Sequence, residues 1–329
     1  MIKGARMVVL QPSSPPSIMP KKSLYRIRNW KKYNASLVAR GSVTVWISDD
    51  AQAGWLHQGP QQQGHPVVFS DAAIETALTI RAVYHLPLRQ TEGFLLSIFD
   101  LLQSTLPVPD FTTICKRAGE LLVDLPVRGS DGPIHIVVDS TGLKVYGEGE
   151  WKVKIHGKSK RRAWRKLHLG VNPCTGEVEA EELTEAYADD AKQVEGLLAQ
   201  IDPAINLAAF DGAYDEHKIH ALLQERGAKG LIPTSKDARI KKRGNATGPP
   251  LPRDEILRAI RRLGRSGWKK QSGYHMRSHA EIAMYRQKTI FGSSLRSRRF
   301  ENQKTEARIR CRAQNLMTHL GMPESVKIP

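Results

Sequence analysis

Three carboxylates and three accompanying polar groups carry the chemistry that this sequence offers. Asp139 closes the apolar run Ile134-His-Ile-Val-Val138, and Asp211 closes the mostly apolar run Ile205–Phe210. Each is followed within three residues by a glycine, so the two acids have similar local settings. Glu281 stands in Tyr274-His-Met-Arg277-Ser-His-Ala-Glu281-Ile-Ala-Met-Tyr-Arg-Gln-Lys288, a stretch rich in helix formers. Two aspartates and a glutamate form a hard, oxygen-only donor set, suited to Mg²⁺ or Mn²⁺ rather than zinc. Such a cluster makes electrostatic sense only with a cation, because like charges at close range raise one another's pKa.

The surroundings of Glu281 point to phosphate. On one continuous helix, Tyr274, Arg277, Glu281 and Lys288 would share an arc of about 60°. Met276, Ala280, Ala283 and Ile290 would form the opposite, core-facing stripe. A second reading stays open: Ser278-His-Ala-Glu281 matches a capping box, which starts the helix near Ser278 and leaves Tyr274 and Arg277 outside it. Either aspartate alone also reads as an ordinary turn residue.

The elements that must position these groups follow from the rest of the chain. Alternation and turn residues predict strands at Gly41–Ile47, Ile134–Val138, Trp164–Val171, Glu177–Leu183, Ile205–Phe210 and Gly230–Pro233. A turn is expected at Asp139-Ser-Thr-Gly, then a hairpin of Leu143–Tyr146 and Trp151–Ile155. Helices are predicted at Asp71–Tyr84 capped by Ser70, at Arg89–Gln103, and at Phe111–Leu122 capped by Asp110. Further helices are expected at Ala188–Gln200, Glu216–Arg226 and Asn302–Leu320, and the basic stretch Pro249–Arg262 is of mixed type. The alternation of types gives a mixed α/β class with a sheet covered on both faces. His168 reads as structural, and Asp189-Asp190 as a helix N-terminus.

Charge sets the partner. The net charge of +17 and pI near 9.9 call for a polyanion, nucleic acid before an anionic membrane surface. The cations are clustered: residues 21–40 carry seven Lys or Arg and no acid, and 151–168 carry eight and no acid, which favours a nucleic-acid track. Lys116 and Arg117, with Thr112 and Thr113, are the candidates to face a major groove from a helix-turn-helix-like module. Arg161 and Arg162 are candidates in the basic loop 157–162. No apolar run reaches the roughly 20 residues of a membrane helix. Cys115, Cys174 and Cys311 are widely spaced, without a CxxC pair, and suit a reducing cytoplasm. Residues 1–20 read as a disordered Pro/Ser-rich leader, with Met19 an alternative start. The domain reading is a basic arm and helical DNA-binding domain over 21–125, a turn-rich boundary at 124–132, and a catalytic domain over 133–320.

The segments Asp139-Ser-Thr-Gly-Leu-Lys-Val-Tyr, Arg161-Arg-Ala-Trp-Arg-Lys-Leu-His-Leu-Gly and Ala209-Phe-Asp-Gly-Ala-Tyr-Asp215 resemble the DDE transposases of bacterial insertion sequences. The likeness is to the insertion-sequence-five family and its insertion-sequence-903-like branch. Tyr274, Arg277, Glu281 and Lys288 match the Tyr–(2)–Arg–(3)–Glu–(6)–Lys signature of such enzymes. The resemblance extends over roughly residues 21–325. It implies an RNase H-like catalytic core with Asp139, Asp211 and Glu281 as the metal triad, holding Mg²⁺ or Mn²⁺, two ions in all. It implies an N-terminal domain that binds terminal inverted repeats, target DNA as second substrate, and at least a dimer in the synaptic complex. Tyr274, Arg277 and Lys288 would then touch DNA, in a cytoplasmic, nucleoid-associated bacterial protein. The competing readings are a DNA-binding regulator or domesticated remnant without catalysis, and a stand-alone RNase H-like nuclease.

Overall fold

The structure is a computed structural model that describes residues 25–47, 49–60, 64, 66–145, 164–242 and 247–328. The leader 1–20, the basic loop with Arg161 and Arg162, and the expected strand Trp151–Ile155 lie outside the described residues.

A mixed sheet forms the centre. Strand β1 (Tyr25–Ile27) stands apart, paired antiparallel with the C-terminal β8 (Ser325–Lys327). The main sheet has β2 (Ile134–Val145), β3 (Trp164–Val171), β4 (Val178–Glu185), β5 (Ile205–Ala209) and β6 (Lys229–Leu231) in the order β4-β3-β2-β5-β6, and β7 (Ser294–Leu295) pairs with β2. The first three strands are antiparallel, while β5 and β6 run parallel to β2. The architecture is of the mixed α/β class, as expected.

The sheet buries both faces. Val137, Leu143, Leu169, Ala209 and Leu231 point to one side, beneath the helices Ser278–Phe291 and Phe300–Leu320. Ile136, Val138, Ala208 and Phe210 point to the other, beneath Asp190–Ala199 and Glu216-flanked His217–Glu225. Period-2 alternation in β2 and β5 thus sorts their side chains into two separate cores.

The N-terminal part is helical. Asp71–Val83, Leu88–Leu101 and Phe111–Arg117 pack around Ile74, Ile80, Leu95 and Ile114, with Trp55 fully buried against Phe99. Ser70 caps the first of these, accepting from the Ala73 N–H at 3.2 Å and donating to the Gly54 carbonyl at 2.5 Å. Ser70→Ala is expected to cost about 1 kcal/mol, read from urea denaturation. The Gly41–Ile47 strand is corrected to a short helix, Val43–Trp46. The turn closes on local bonds, with the Ile47 N–H donating to the Val43 carbonyl at 3.0 Å, and Trp46 is buried with its indole N–H donating to the Arg40 carbonyl at 3.0 Å.

The C-terminal helix Phe300–Leu320 joins the two parts. Its Ile309, Ala313 and Met317 enter the core of the N-terminal helices, while Ala307 and Cys311 enter the core over the sheet. Its polar residues are buried with partners: Asn315 donates to the carbonyls of Val178 and Pro126 and accepts from the Val178 N–H. Glu181 of β4 faces Arg308 across 3.4 Å, and burial pushes its carboxyl up to about 7 from an ordinary 4.5. The folded chain therefore holds that proton where the unfolded chain has lost it, and stability falls as pH rises from about 4.5 to about 7. Glu181→Gln lacks this loss, so its melting temperature is expected to gain on wild type progressively across that window.

Candidate active site

The register of the sheet brings the two aspartates together. β2 and β5 are parallel neighbours with Val137 opposite Ala209. Asp139 and Asp211 each stand two residues further along, and two residues return a side chain to the same face. Both carboxylates therefore leave the face that carries Val137, Ala209 and the Ser278–Phe291 helix. Parallel neighbours lie about 4.8 Å apart, close enough for the two charges to interact.

Asp139 does not close a turn, as its sequence setting suggested. β2 runs on through it, paired with β3 from Val137↔Val171 to Lys144↔Trp164. The expected turn at 139–142 and the hairpin beginning at Leu143 are corrected accordingly. Antiparallel pairing outweighs the turn propensity of Asp-Ser-Thr-Gly, and the Trp164 ring packs over Gly142, where an added Cβ would lie 3.1 Å from it. On the opposite edge of β2, pairing with β5 ends at Val137 and pairing with β7 resumes at Lys144. The segment 138–143 thus borders a notch in the sheet, with Asp139 and Thr141 on its helix-facing side.

Asp211 is held differently. It starts a 3₁₀ turn, Gly212–Tyr214, and accepts the Ala213 N–H at 2.7 Å. Four residues on, Asp215 is locked by Arg253, which donates from Nε at 2.8 Å and from a terminal nitrogen at 2.7 Å. Ser235 N–H and His220 add to this clamp. Burial raises the Asp215 carboxyl, but the bonds from His220 and Arg253 outweigh it and leave it below the ordinary range. The bidentate fork fixes the turn that Asp211 begins.

Glu281 and its neighbours sit on a broken helix. The preceding basic segment Pro252–Ser272 is two helices broken at Gly264, φ 70° and ψ 158°, and Gly273, at φ 73° and ψ 16°, ends the second in the left-handed conformation that glycine tolerates. A 3₁₀ turn, Tyr274–Arg277, follows, and the α-helix begins at Ser278. The single arc from Tyr274 to Lys288 is therefore corrected. The capping box does not form either: the Ser278 hydroxyl donates to the His275 carbonyl, and Arg277 is the N-cap residue.

Arg277 keeps helical dihedrals, φ −54° and ψ −29°, so it still projects beside Glu281. Its guanidinium donates to Asp139 at 2.7 Å and, through the other terminal nitrogen, to Glu281. Burial pushes the Asp139 carboxyl above its ordinary value, and the Asp211 charge pushes the same way. The Ser140 N–H and the Arg277 guanidinium oppose that rise. Lys288 donates from Nζ to Thr141 Oγ1 at 2.6 Å, two residues along the strand from Asp139. Tyr274 is buried against Trp268, with ring centroids 5.6 Å apart, and burial drives its phenol up to about 12.

The remaining expected contacts are mixed. Lys116 is exposed, whereas Arg117 is engaged with the Phe69 carbonyl at 2.9 Å and Asp71 at 2.5 Å. Thr112 and Thr113 both donate their hydroxyls to Asp110, the cap of their own helix. His168 is fully buried between Thr184 and Asp190, and burial lowers it to about 4, so it is neutral near pH 7. Asp189 caps the Asp190–Ala199 helix and Asp190 pairs with Lys166 at 3.1 Å.

The donor set suits a hard divalent cation: oxygen-only, partly buried at Asp139, and already compensated by one cationic side chain. Among the described residues no three His, Cys, Asp or Glu are gathered into a ready-made metal cluster. Arg277 instead spans two of the acids. Sequence reasoning missed Thr141 and the Asp215–Arg253 clamp. Reading the alternation of β2 through Asp139 would have found the first, because Thr141 shares its face.

A mixed sheet that brings two carboxylates to one edge, beside cationic side chains, is a scaffold suited to divalent-metal chemistry on a polyanion. The chain belongs to the transposase DDE domain family: a family model described as "Transposase DDE domain" matches residues 130–316, and another of the same description matches 38–148. It is thus a metal-dependent, DNA-cleaving transposase. Among solved structures it is similar to a piggyBac transposase synaptic complex with hairpin DNA, at 8% identity over 91% of this chain and 78% of that one, with a TM-score of 0.38. No helix among the described residues is long and apolar enough to cross a membrane.

Proposed function

We propose that the chain cleaves phosphodiester bonds at the ends of an insertion sequence and joins the freed 3′-OH ends to target DNA, with Asp139, Asp211 and Glu281 as its metal-binding residues. The observation that carries this reading is the Arg277 fork, which draws together Asp139 from the sheet and Glu281 from the helix. A cation already bridges two of the three acids, and the third, Asp211, follows the adjoining strand two residues past Ala209, as Asp139 stands two residues past its partner Val137.

Divalent cations, Mg²⁺ or Mn²⁺ and two in number, would supply Lewis acidity at the scissile phosphate and activate the attacking oxygen. The chain's own residues set the geometry. Asp139 and Asp211 hold fixed positions because one is built into a paired strand and the other is tied by Ala213 and the Asp215–Arg253 clamp. Glu281, on an exposed helix face, completes the set from the side. Arg277 transfers its fork from Asp139 to a phosphate oxygen beside the scissile bond, a geometry its planar donors match. Lys288, steadied by Thr141, neutralises a second phosphate. Tyr274 contributes a neutral hydroxyl near the acids rather than a stacking face, since its ring is in the core. No side-chain nucleophile is required, and His168 is a structural residue.

The N-terminal helices would recognise the terminal inverted repeats, with Lys116 as the exposed candidate, in an insertion-sequence-five-type enzyme of the bacterial nucleoid. Two ends must be held together, so the working form is at least a dimer. The reading divides the chain at 124–132, with the C-terminal helix bracing both parts. The test is a strand-transfer assay with Mg²⁺ on duplexes carrying the element's ends. End-specific nicking followed by joining is expected. Hydrolysis of any duplex without joining would make the chain a nuclease, and binding without cleavage a regulator.

A further inference from the structure

We propose that the groove between the N-terminal helices and the segment 296–299 is a seat for the sugar-phosphate backbone of duplex DNA, separate from the notch at Asp139. Its floor is apolar, with Leu78, Leu88 and Phe111, and its rim carries Arg89, Lys116, Arg298 and Arg299. All four rim cations are exposed, and among the described residues none of them is paired with a carboxylate. No Asp or Glu lines the groove. Acids close to the groove are committed elsewhere: Asp110 caps the Phe111–Arg117 helix, Glu92 accepts the Phe111 N–H at 2.9 Å, and the buried Glu306 pairs with Arg310 while accepting the N–H groups of Arg296 and Ser297. Two inner arginines also have partners, Arg81 at Ser297 and Arg296 at the His85 carbonyl.

Arg89 has an internal partner, its guanidinium lying 4.8 Å over the Phe111 ring. Among the described residues Lys116, Arg298 and Arg299 form no ion pair, and the folded chain gains little from holding them around one concave surface. A polyanion of regular spacing is the complement, and duplex DNA carries one charge per about 1.7 Å of axis. The position adds to the argument. The segment 296–299 follows β7, which pairs with β2, the strand of Asp139. The facing wall belongs to the helices at 88–101 and 111–117. DNA in this groove would therefore be gripped by both halves of the chain at once, at a fixed setting relative to the sheet. Backbone contacts from Arg89, Arg298 and Arg299 position the duplex without reading its sequence and leave Lys116 to face the base edges.

Cys115, exposed and part of the groove wall, provides the test, and the exposed Cys174, in the turn between β3 and β4, provides the internal control. The full chain is alkylated with N-ethylmaleimide in EDTA, where no cleavage occurs, with and without a saturating random-sequence 30-base-pair duplex. Mass spectrometry is expected to show Cys115 protected at least about tenfold and Cys174 unchanged. In parallel, R298Q/R299Q should lower the slope of log K against log salt by about 1.8, equally for random and element-end duplexes. Both positions are exposed, so the fold is kept. The proposal is overturned if bound duplex leaves Cys115 as reactive as before, or if the double variant keeps the wild-type slope. Protection by poly-glutamate but not by duplex would also overturn it and assign the groove to an acidic peptide. The inference rests on DNA as substrate but not on the acidic triad: a chain that binds no duplex at all would fail both, whereas binding with Cys115 open fails the groove alone.

Discussion

Asp139→Asn, Asp211→Asn and Glu281→Gln are each expected to reduce end cleavage by at least about 10³-fold while leaving DNA binding in EDTA near the wild-type level. The magnitude follows from position. Loss of an outer partner of a metal site costs 10–100-fold, and these residues are proposed to be the ligands themselves. Each substitution keeps the shape of the side chain and removes its charge. Asp139 and Asp211 are fixed by the sheet register, so no neighbouring acid can swing into their places. Glu281 is more exposed, and Glu281→Asp, which withdraws the carboxylate by one methylene, should fail nearly as badly. Single-turnover cleavage of an end duplex, beside a binding isotherm for each variant, reads both quantities. Full activity in any one variant would remove that residue from the triad.

Arg277→Gln is the second large effect, and it has two faces. In the metal-free protein the guanidinium partly neutralises Asp139 and Glu281, so its loss is expected to lower the melting temperature by about 1–2 °C, the shift that roughly 1 kcal/mol makes in a chain of 329 residues. Added Mn²⁺ should restore more of that loss in the variant than it adds to wild type, because a bound cation replaces the missing charge and no longer competes with Arg277. Cleavage should nonetheless fall about 10–100-fold, since the fork is then absent at the phosphate. Arg277→Lys keeps the charge but not the two-pronged geometry, and an intermediate rate is expected. Equal Mn²⁺ stabilisation of wild type and Arg277→Gln would show that Arg277 and the metal do not share a place.

The two aspartates stand out in the sequence because an apolar run leads into each, although Asp139 lies within β2 and only Asp211 follows its strand. Apolar runs ending in Asp139 and Asp211 announce themselves in the sequence, and parallel neighbours then put the two acids on one face. The continuation of β2 was hidden because Asp-Ser-Thr-Gly carries every local mark of a turn. What holds it straight is non-local: eight register pairs with β3 and the Trp164 ring over Gly142. The break before Ser278 was hidden for a similar reason. Gly273 and the burial of Tyr274 against Trp268 decide it, and neither partner is a helical neighbour in sequence. The segment 124–132 carries no helix or strand, since nothing regular lies between Arg117 and Ile134. Its limits as a boundary come from the far end of the chain, where Ile309 and Met317 complete the N-terminal core.

The central claim is that Asp139, Asp211 and Glu281 together hold the metal. Electron paramagnetic resonance of Mn²⁺ measures it directly, by counting ions bound per full-length chain in the presence of an end duplex. Saturable binding is expected for wild type and loss of it in Asp139→Asn and in Asp211→Asn, with the duplex still bound. Unchanged Mn²⁺ occupancy in both variants would contradict it.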